Sequence, residues 1–461
     1  MVSHGMEAGL LKYHLPIHLT NRKAMPPDLA AHSSVGKPTL KPPSSPHIGH
    51  SQLHVSSKRS KLFMSTVDAP NYFVIPLSVQ REGDLYLVGN SEMGDFYQFP
   101  EQGLRILNML RSGDNAVTIR SRLAAEYPEI FDVDDFVAQL TNIGFIYPED
   151  QRQRANAQMA ATTQATRRVF NVDPWIAKAI FSRPILFCCL IIVVYALFSA
   201  IENPQLRLNF NAFYTDTNRT ALLLLVVILS LIEAVMHESG HMLAAARHGI
   251  KSKYGIGNRL WTIVAESDLT GILTLPKSQR YFPMFAGVLV DILCASLLTL
   301  LIEVLLRHGA SAFTVQVVQA LVLEIVISIT WQFNIFVKTD IYFVLCNYFS
   351  HPDLDRDARG YLRNLLYQAT FGRFGNNDAA DTFQNIFVLR VFASIWLLGR
   401  ILSLLVLFGV FLPTMGKYIG SAIHLLSGSP ASIWMACDTM LYVAITLTML
   451  GAGMYMWLKQ R

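Results

Sequence analysis

ALLLLVVILSLIEAVMHESGHMLAAA, residues 221–246, decides how the rest of the chain is read. The run is long enough to cross a hydrocarbon core of ~30 Å, which takes roughly 20 helical residues. Near its end it carries His237, Glu238 and His241. On a helix, residues four apart stack on one face, so both imidazoles can reach one metal. Glu238 sits between them, where its carboxylate can take a proton from a metal-bound water. The pattern gains specificity from its location, because ionisable groups inside a spanning helix are expensive and are usually functional. The bland alternative is two satisfied histidines in a helical bundle.

Outward from this run, the chain reads as an all-α polytopic membrane bundle. Charged residues make up 15% of the sequence, against about 25% in soluble domains, and the apolar residues concentrate after residue 175. About six spans are expected, near 184–201, 221–246, 283–306, 314–337, 391–413 and 435–457. The loops near 247–282 and 338–390 hold Lys251, Lys253, Arg259, Lys277, Arg280, Lys338, Arg356, Arg359 and Arg363. The alternate loops hold only Arg207, Arg219, Arg307 and Lys417. The positive-inside rule then places both termini in the cytosol, as an even number of crossings requires.

Depth links two distant segments. The span that begins near Ala221 runs inward, and sixteen residues of helical rise put His237 roughly 24 Å in, close to the inner leaflet. The fourth span also runs inward and ends in Trp331-Gln-Phe-Asn-Ile-Phe-Val-Lys-Thr-Asp340. Asp340 therefore reaches the depth and side of the two histidines, and a catalytic zinc site needs a third protein ligand beside an open position.

The N-terminal part differs in character. Residues 1–65, rich in Pro, Ser, His and Lys, show no apolar period and read as disordered. Residues 66–150 read as a small soluble unit: strands at Asp84–Gly89 and Asp95–Phe99, then three helices, a small winged-helix pattern. Helix faces are expected at Leu104, Leu107 and Leu110, at Val117, Ile119 and Leu123, and at Phe136, Val137, Leu140 and Ile143, with Asp132 or Asp134 capping the third helix. This unit carries 14 acidic residues against five basic ones, which disfavours nucleic acid, whose phosphates need a basic footprint. An exposed strand edge around Asp84–Val88 is the expected docking place for a peptide; the alternative is a folded cap without a ligand. Residues 151–177 read as a polar linker. The five cysteines lie in or beside apolar runs without CxxC spacing and read as free thiols.

At these residues a resemblance can be stated. The unit 66–150 resembles a PqqD-like domain, or RiPP recognition element, which implies binding of a ribosomal peptide's leader. The membrane part resembles the site-2 protease family of intramembrane zinc metalloproteases, most closely its bacterial peptide zinc metalloprotease branch, with the core at 178–350 and 351–461 adding a cytosolic segment and two further spans. That family pairs its helical motif with an Asn-Pro-…-Asp-Gly segment. Here the segment reads Asn334-Ile335-Phe336-Val337-Lys338-Thr339-Asp340-Ile341, so Ile335 and Ile341 replace the Pro and Gly. The resemblance implies Zn²⁺ held by His237, His241 and Asp340, with Glu238 as general base. It implies substrate contacts at Asn334 and, in a re-entrant segment after a hairpin over Tyr254–Leu275, at Thr270 and Gly271. It also implies hydrolysis of a peptide or membrane-anchored precursor in a bacterial cytoplasmic membrane, during maturation or export of a ribosomal peptide and beside export or modification partners. The alternative is a degenerate accessory subunit of such a system. Asp291 and Glu233 read as inward-facing polar contacts; Glu303, Glu324 and Arg400 read as snorkelling or paired groups.

Overall fold

The computed structural model describes residues 71–91, 93–127, 132–165, 169–170, 172–259, 262–335, 338–350, 354–372, 386–427 and 433–460. The arm 1–65 lies outside the described residues. The chain divides into two compact units. Of the described residues, 71–75 and 101–155 form the smaller unit, while 76–100 and 156–460 form the larger.

In chain order the elements begin with β1 (Tyr72–Val74), β2 (Ser78–Glu82), β3 (Leu85–Asn90) and β4 (Asp95–Pro100). Then follow α1 (Glu101–Arg111), α2 (Ala116–Glu126), α3 (Val133–Asn142), β5 (Ile146–Pro148) and α4 (Arg152–Ala165). In the smaller unit β1 pairs antiparallel with β5, and Ile106, Leu107, Leu110, Ile119, Leu123, Phe136 and Leu140 are buried. Asp132, not Asp134, caps α3, its side chain accepting from the Asp135 amide. Val117 points outward at 59% exposure, so the expected face of α2 is narrower than its sequence period suggested.

The larger unit continues with β6 (Val169–Phe170), α5 (Pro174–Ile180), α6 (Arg183–Glu202), α7 (Arg219–Ala246), β7 (Ser252–Arg259) and β8 (Thr262–Asp268). It ends with α8 (Lys277–Arg307), α9 (Ala312–Trp331), α10 (Asp340–Phe349), α11 (Leu354–Ala369), α12 (Ile386–Val406), α13 (Leu412–Ser427) and α14 (Ile433–Gln460). The expected linker 151–177 is thus largely structured, as α4, β6 and the start of α5.

Among the described residues five helical stretches are long and apolar enough to span a membrane: Pro174–Glu202, Arg219–Ala246, Lys277–Arg307, Ala312–Trp331 and Ile386–Ser421. The sixth expected span falls on α14, whose apolar part Ile433–Met449 is shorter than these. The fifth passes through a π-helical turn at Leu407–Phe411. The fourth stops at Trp331, earlier than expected. Gln332 bonds twice into the turn that follows: its carbonyl accepts from Thr339 Oγ1 at 2.6 Å and its Oε1 from the Asp340 amide at 3.1 Å.

Strands β2–β3–β4 form an antiparallel sheet with β3 in the middle. The edge expected at Asp84–Val88 is therefore not an edge, because β3 uses its hydrogen bonds on both sides. The alternation of β3 and β4 was visible in sequence, whereas β2 carries Gln80, Arg81 and Glu82 and has no apolar alternation to betray it. Two of those polar residues hold this sheet to the helices. Glu82 pairs with the fully buried Arg280 of α8, and Gln80 donates to the Thr274 carbonyl at 2.7 Å. Leu87 and Phe96 join a buried cluster with Met242, Leu269, Met284, Ile335, Tyr342 and Phe343.

Helix α7 begins without a cap of its own: Asn218 is left-handed at φ 57° and its side chain bonds no helix amide. Its open N–H groups, which any helix start exposes, are met from another helix. Asp438 of α14 accepts from the Arg219 amide at 2.8 Å and the Thr220 amide at 3.1 Å. Asp438→Ala should cost about 0.5–2 kcal/mol, the usual worth of a cap, seen as a lower unfolding midpoint in detergent. An unchanged midpoint would show that the cap does not contribute.

Candidate metal centre

The centre is assembled from α7, α8 and the first residue of α10. The 28 residues of α7 put His237 and His241 on one face, and α8 passes close beside it because the contact residues are small. A Cβ on Gly240 would sit 2.7 Å from Val290 Cγ2 and 3.0 Å from the Ala286 carbonyl.

Each imidazole is fixed through its Nδ1. His237 Nδ1 lies 2.8 and 2.9 Å from the two carboxylate oxygens of Asp291, and His241 Nδ1 lies 2.7 Å from the Pro283 carbonyl oxygen. These neighbours accept, so both rings donate through Nδ1–H; in the neutral ring that puts the lone pair on Nε2, on the opposite side, the tautomer that serves a metal ligand. There the two Nε2 atoms lie 3.1 Å apart, and Asp340 Oδ2 lies 3.1 Å from His237 and 3.3 Å from His241.

Three electron-pair donors so close repel unless a proton or a metal ion lies between them. Bonds of 2.0–2.1 Å in a tetrahedral zinc site imply ligand–ligand separations of about 3.3 Å, which these distances match. Space for the ion is also kept. A Cβ on Gly287 would stand 2.3 Å from His241 Nε2 and 2.6 Å from His237 Nε2, so only glycine leaves the ligand atoms clear. The side chains are shielded: His241 and Asp291 are wholly buried, Asp340 is 4% exposed and His237 12%. Asp340 is the first residue of α10. Its place at that N-terminus suits an anion. The donor set and the cradle fit a divalent first-row ion.

Glu238 is 7% exposed, and its Oε2 accepts a hydrogen bond of 2.6 Å from Ser267 of β8. Tyr254 of β7 lies near enough that, after its own burial, the Glu238 charge pushes its phenol upward. Glu233 reaches Asp291 from one turn earlier on α7, the helix–helix contact expected of it.

The remaining sequence candidates are placed elsewhere. Asn334 is 1% exposed and its Oδ1 accepts from Ser403 of α12 at 2.9 Å. Thr270 lies in a 3-10 turn and donates to Asp268 at 2.6 Å. Gly271 packs on Ile250, whose Cγ2 would lie 2.7 Å from an added Cβ. All three are buried, and no described hydrogen bond joins them to the histidines. Arg400 stacks on Trp396 and Glu303 pairs with Arg307 along one helix. Sequence reasoning missed Ser267, the Pro283 carbonyl and the role of Gly287. A serine and a backbone carbonyl carry no positional signature, while Gly287, a glycine inside an apolar run, was the available signal.

No family model, no curated protein and no solved structure matches this chain.

Gly287→Ala should abolish metal retention, because the added methyl occupies the space between the ligand atoms. Elemental analysis of purified, monodisperse protein should fall from near one ion per chain to near none. Full retention would place the ion elsewhere.

Proposed function

We propose that this chain is a membrane-embedded zinc metalloendopeptidase that hydrolyses a peptide bond in a peptide or membrane-anchored precursor near the cytosolic leaflet. The observation that carries the reading is the convergence of His237 Nε2, His241 Nε2 and Asp340 Oδ2 beside the buried carboxylate of Glu238. Two imidazoles and one carboxylate, with no fourth protein donor in the group among the described residues, make a catalytic donor set rather than a closed structural one. Zinc bound there supplies Lewis acidity, polarising a carbonyl and bringing the pKa of water towards neutrality.

The protein's own residues do the rest. Asp291 and the Pro283 carbonyl hold the two rings in one tautomer and one orientation. Ser267 holds one oxygen of Glu238, which leaves the other to accept a proton from the attacking water and return it to the departing amine. A helical substrate has its backbone already bonded in lipid and must unwind before a carbonyl is exposed. Among the described strands β8 pairs with β7 alone, so an unwound substrate can add to its other edge, which passes Glu238 at Ser267. The helices of 66–150, read as a winged helix of the PqqD-like kind, serve to capture a leader peptide. The basic loops orient the chain with both termini in the cytosol of a bacterial inner membrane.

A degenerate accessory subunit is the second reading, supported by Asn334 being bound to Ser403 and by Ile335 and Ile341 where the family has Pro and Gly. Reconstitution with a fluorescently labelled single-span peptide separates the two. Glu238→Gln should keep its metal and lose cleavage by 10²–10⁴-fold, the usual range for a lost acid–base group. Equal cleavage by the variant would refute the mechanism; a metal-loaded wild type that cleaves nothing would favour the accessory subunit.

A further inference from the structure

Where α7 ends, a cleft of about 390 Å³ opens between α5 and α7, lined by Pro174, Lys178, Arg247, His248 and Gly249. Its charged groups are all of one sign. Lys178 is exposed on α5 and Arg247 half-buried at the end of α7, and among the described residues neither forms an ion pair. His248 feels both: burial first, then Arg247 and Lys178, lower its imidazole below the ordinary value. The partial negative charge of the α7 C-terminus offsets roughly half of one cation, leaving an uncompensated positive cleft. Arg247 is held there by packing, its Cζ 5.7 Å from the Phe282 ring, which in turn packs edge-on at 5.0 Å against Phe181.

The cleft also lies at one face of the bilayer, whichever face that is. The span Pro174–Glu202 starts at it and the span Arg219–Ala246 ends at it. Around it α5 turns apolar groups outward, with Trp175 68% exposed, Ile180 40% and Ile176 37%. Aromatic and aliphatic groups beside a cationic notch at headgroup level suit a lipid, with acyl chains along the helices and phosphate among the cations. We infer that the cleft between α5 and the end of α7 binds the phosphate headgroup of an anionic phospholipid through Lys178 and Arg247. The Gly249 backbone, at φ 75° with open space where a Cβ would stand, leaves the headgroup room to enter.

The test uses the full chain in detergent, titrated separately with phosphatidylglycerol, phosphatidylcholine and inorganic phosphate, with retained molecules read by native mass spectrometry. Wild type should retain phosphatidylglycerol in preference to phosphatidylcholine. In Lys178→Gln/Arg247→Gln that preference should fall roughly 25-fold, at about fivefold per removed charge near a membrane surface, with phosphatidylcholine unaffected. The charge-preserving pair Lys178→Arg/Arg247→Lys should keep it, which separates lost charge from lost folding. Equal retention of both lipids by wild type, an unchanged preference in the glutamine variant, or loss in the charge-preserving pair would each overturn the inference. Inorganic phosphate retained as tightly as phosphatidylglycerol would show a free-anion site instead of a lipid site.

Discussion

Three electron-pair donors, two imidazole nitrogens and one carboxylate oxygen, are held 3.1–3.3 Å apart at the end of a spanning helix. Such an arrangement is repulsive by itself, and burial deepens the penalty, because polar groups removed from water must find partners. The surrounding structure can be read as the set of constraints that enforces it. Asp291 and the Pro283 carbonyl take up the Nδ1–H groups, Gly240 lets α7 and α8 approach, and Gly287 keeps the space between the ligand atoms empty. Asp340 arrives from the far side, its amide tied to Gln332 and its helix opening at the site.

These constraints extend well beyond the centre. α7 is capped at its start by Asp438 from the last helix, and Thr220 Oγ1 bonds the Asp438 carbonyl at 2.9 Å. The final helices, which resembled an added segment in sequence, thus fix one end of the helix that carries the histidines. Near the other end, the β2–β4 sheet reaches Met242 through the cluster containing Leu87 and Phe96. The buried Arg280–Glu82 pair there adds little net stability over an apolar pair, yet losing one partner leaves a charge stranded. Arg280 is further bound to the carbonyls of Leu273 and Leu275, so it specifies how this sheet sits on α8.

The parts legible in sequence were those with a period or a spacing. The long apolar runs gave the helices, the four-residue interval gave the His237–His241 face, and counting crossings put Asp340 at their depth. Asp291 was recognisable as an inward polar group because an aspartate inside an apolar run needs a partner. Other parts had no such signal. Ser267 meets Glu238 only because a hairpin folds back on α7, and two polar residues of β2 serve contacts distant in sequence, Gln80 to the Thr274 carbonyl and Glu82 to Arg280. Asn334, Thr270 and Gly271 were chosen by resemblance, and their local packing places them against Ser403, Asp268 and Ile250. The fourth span was drawn too long because the apolar residues after Trp331 continue the hydropathy, while Gln332 and Thr339 turn the backbone.

The chemistry of this centre depends most on which atoms hold the ion. X-ray absorption at the zinc edge, on protein purified without added metal, reads those atoms directly. Two imidazoles and one or two further oxygen donors at 2.0–2.1 Å are expected from His237, His241 and Asp340. A shell containing sulfur, or one of six oxygens without imidazole scattering, would contradict it.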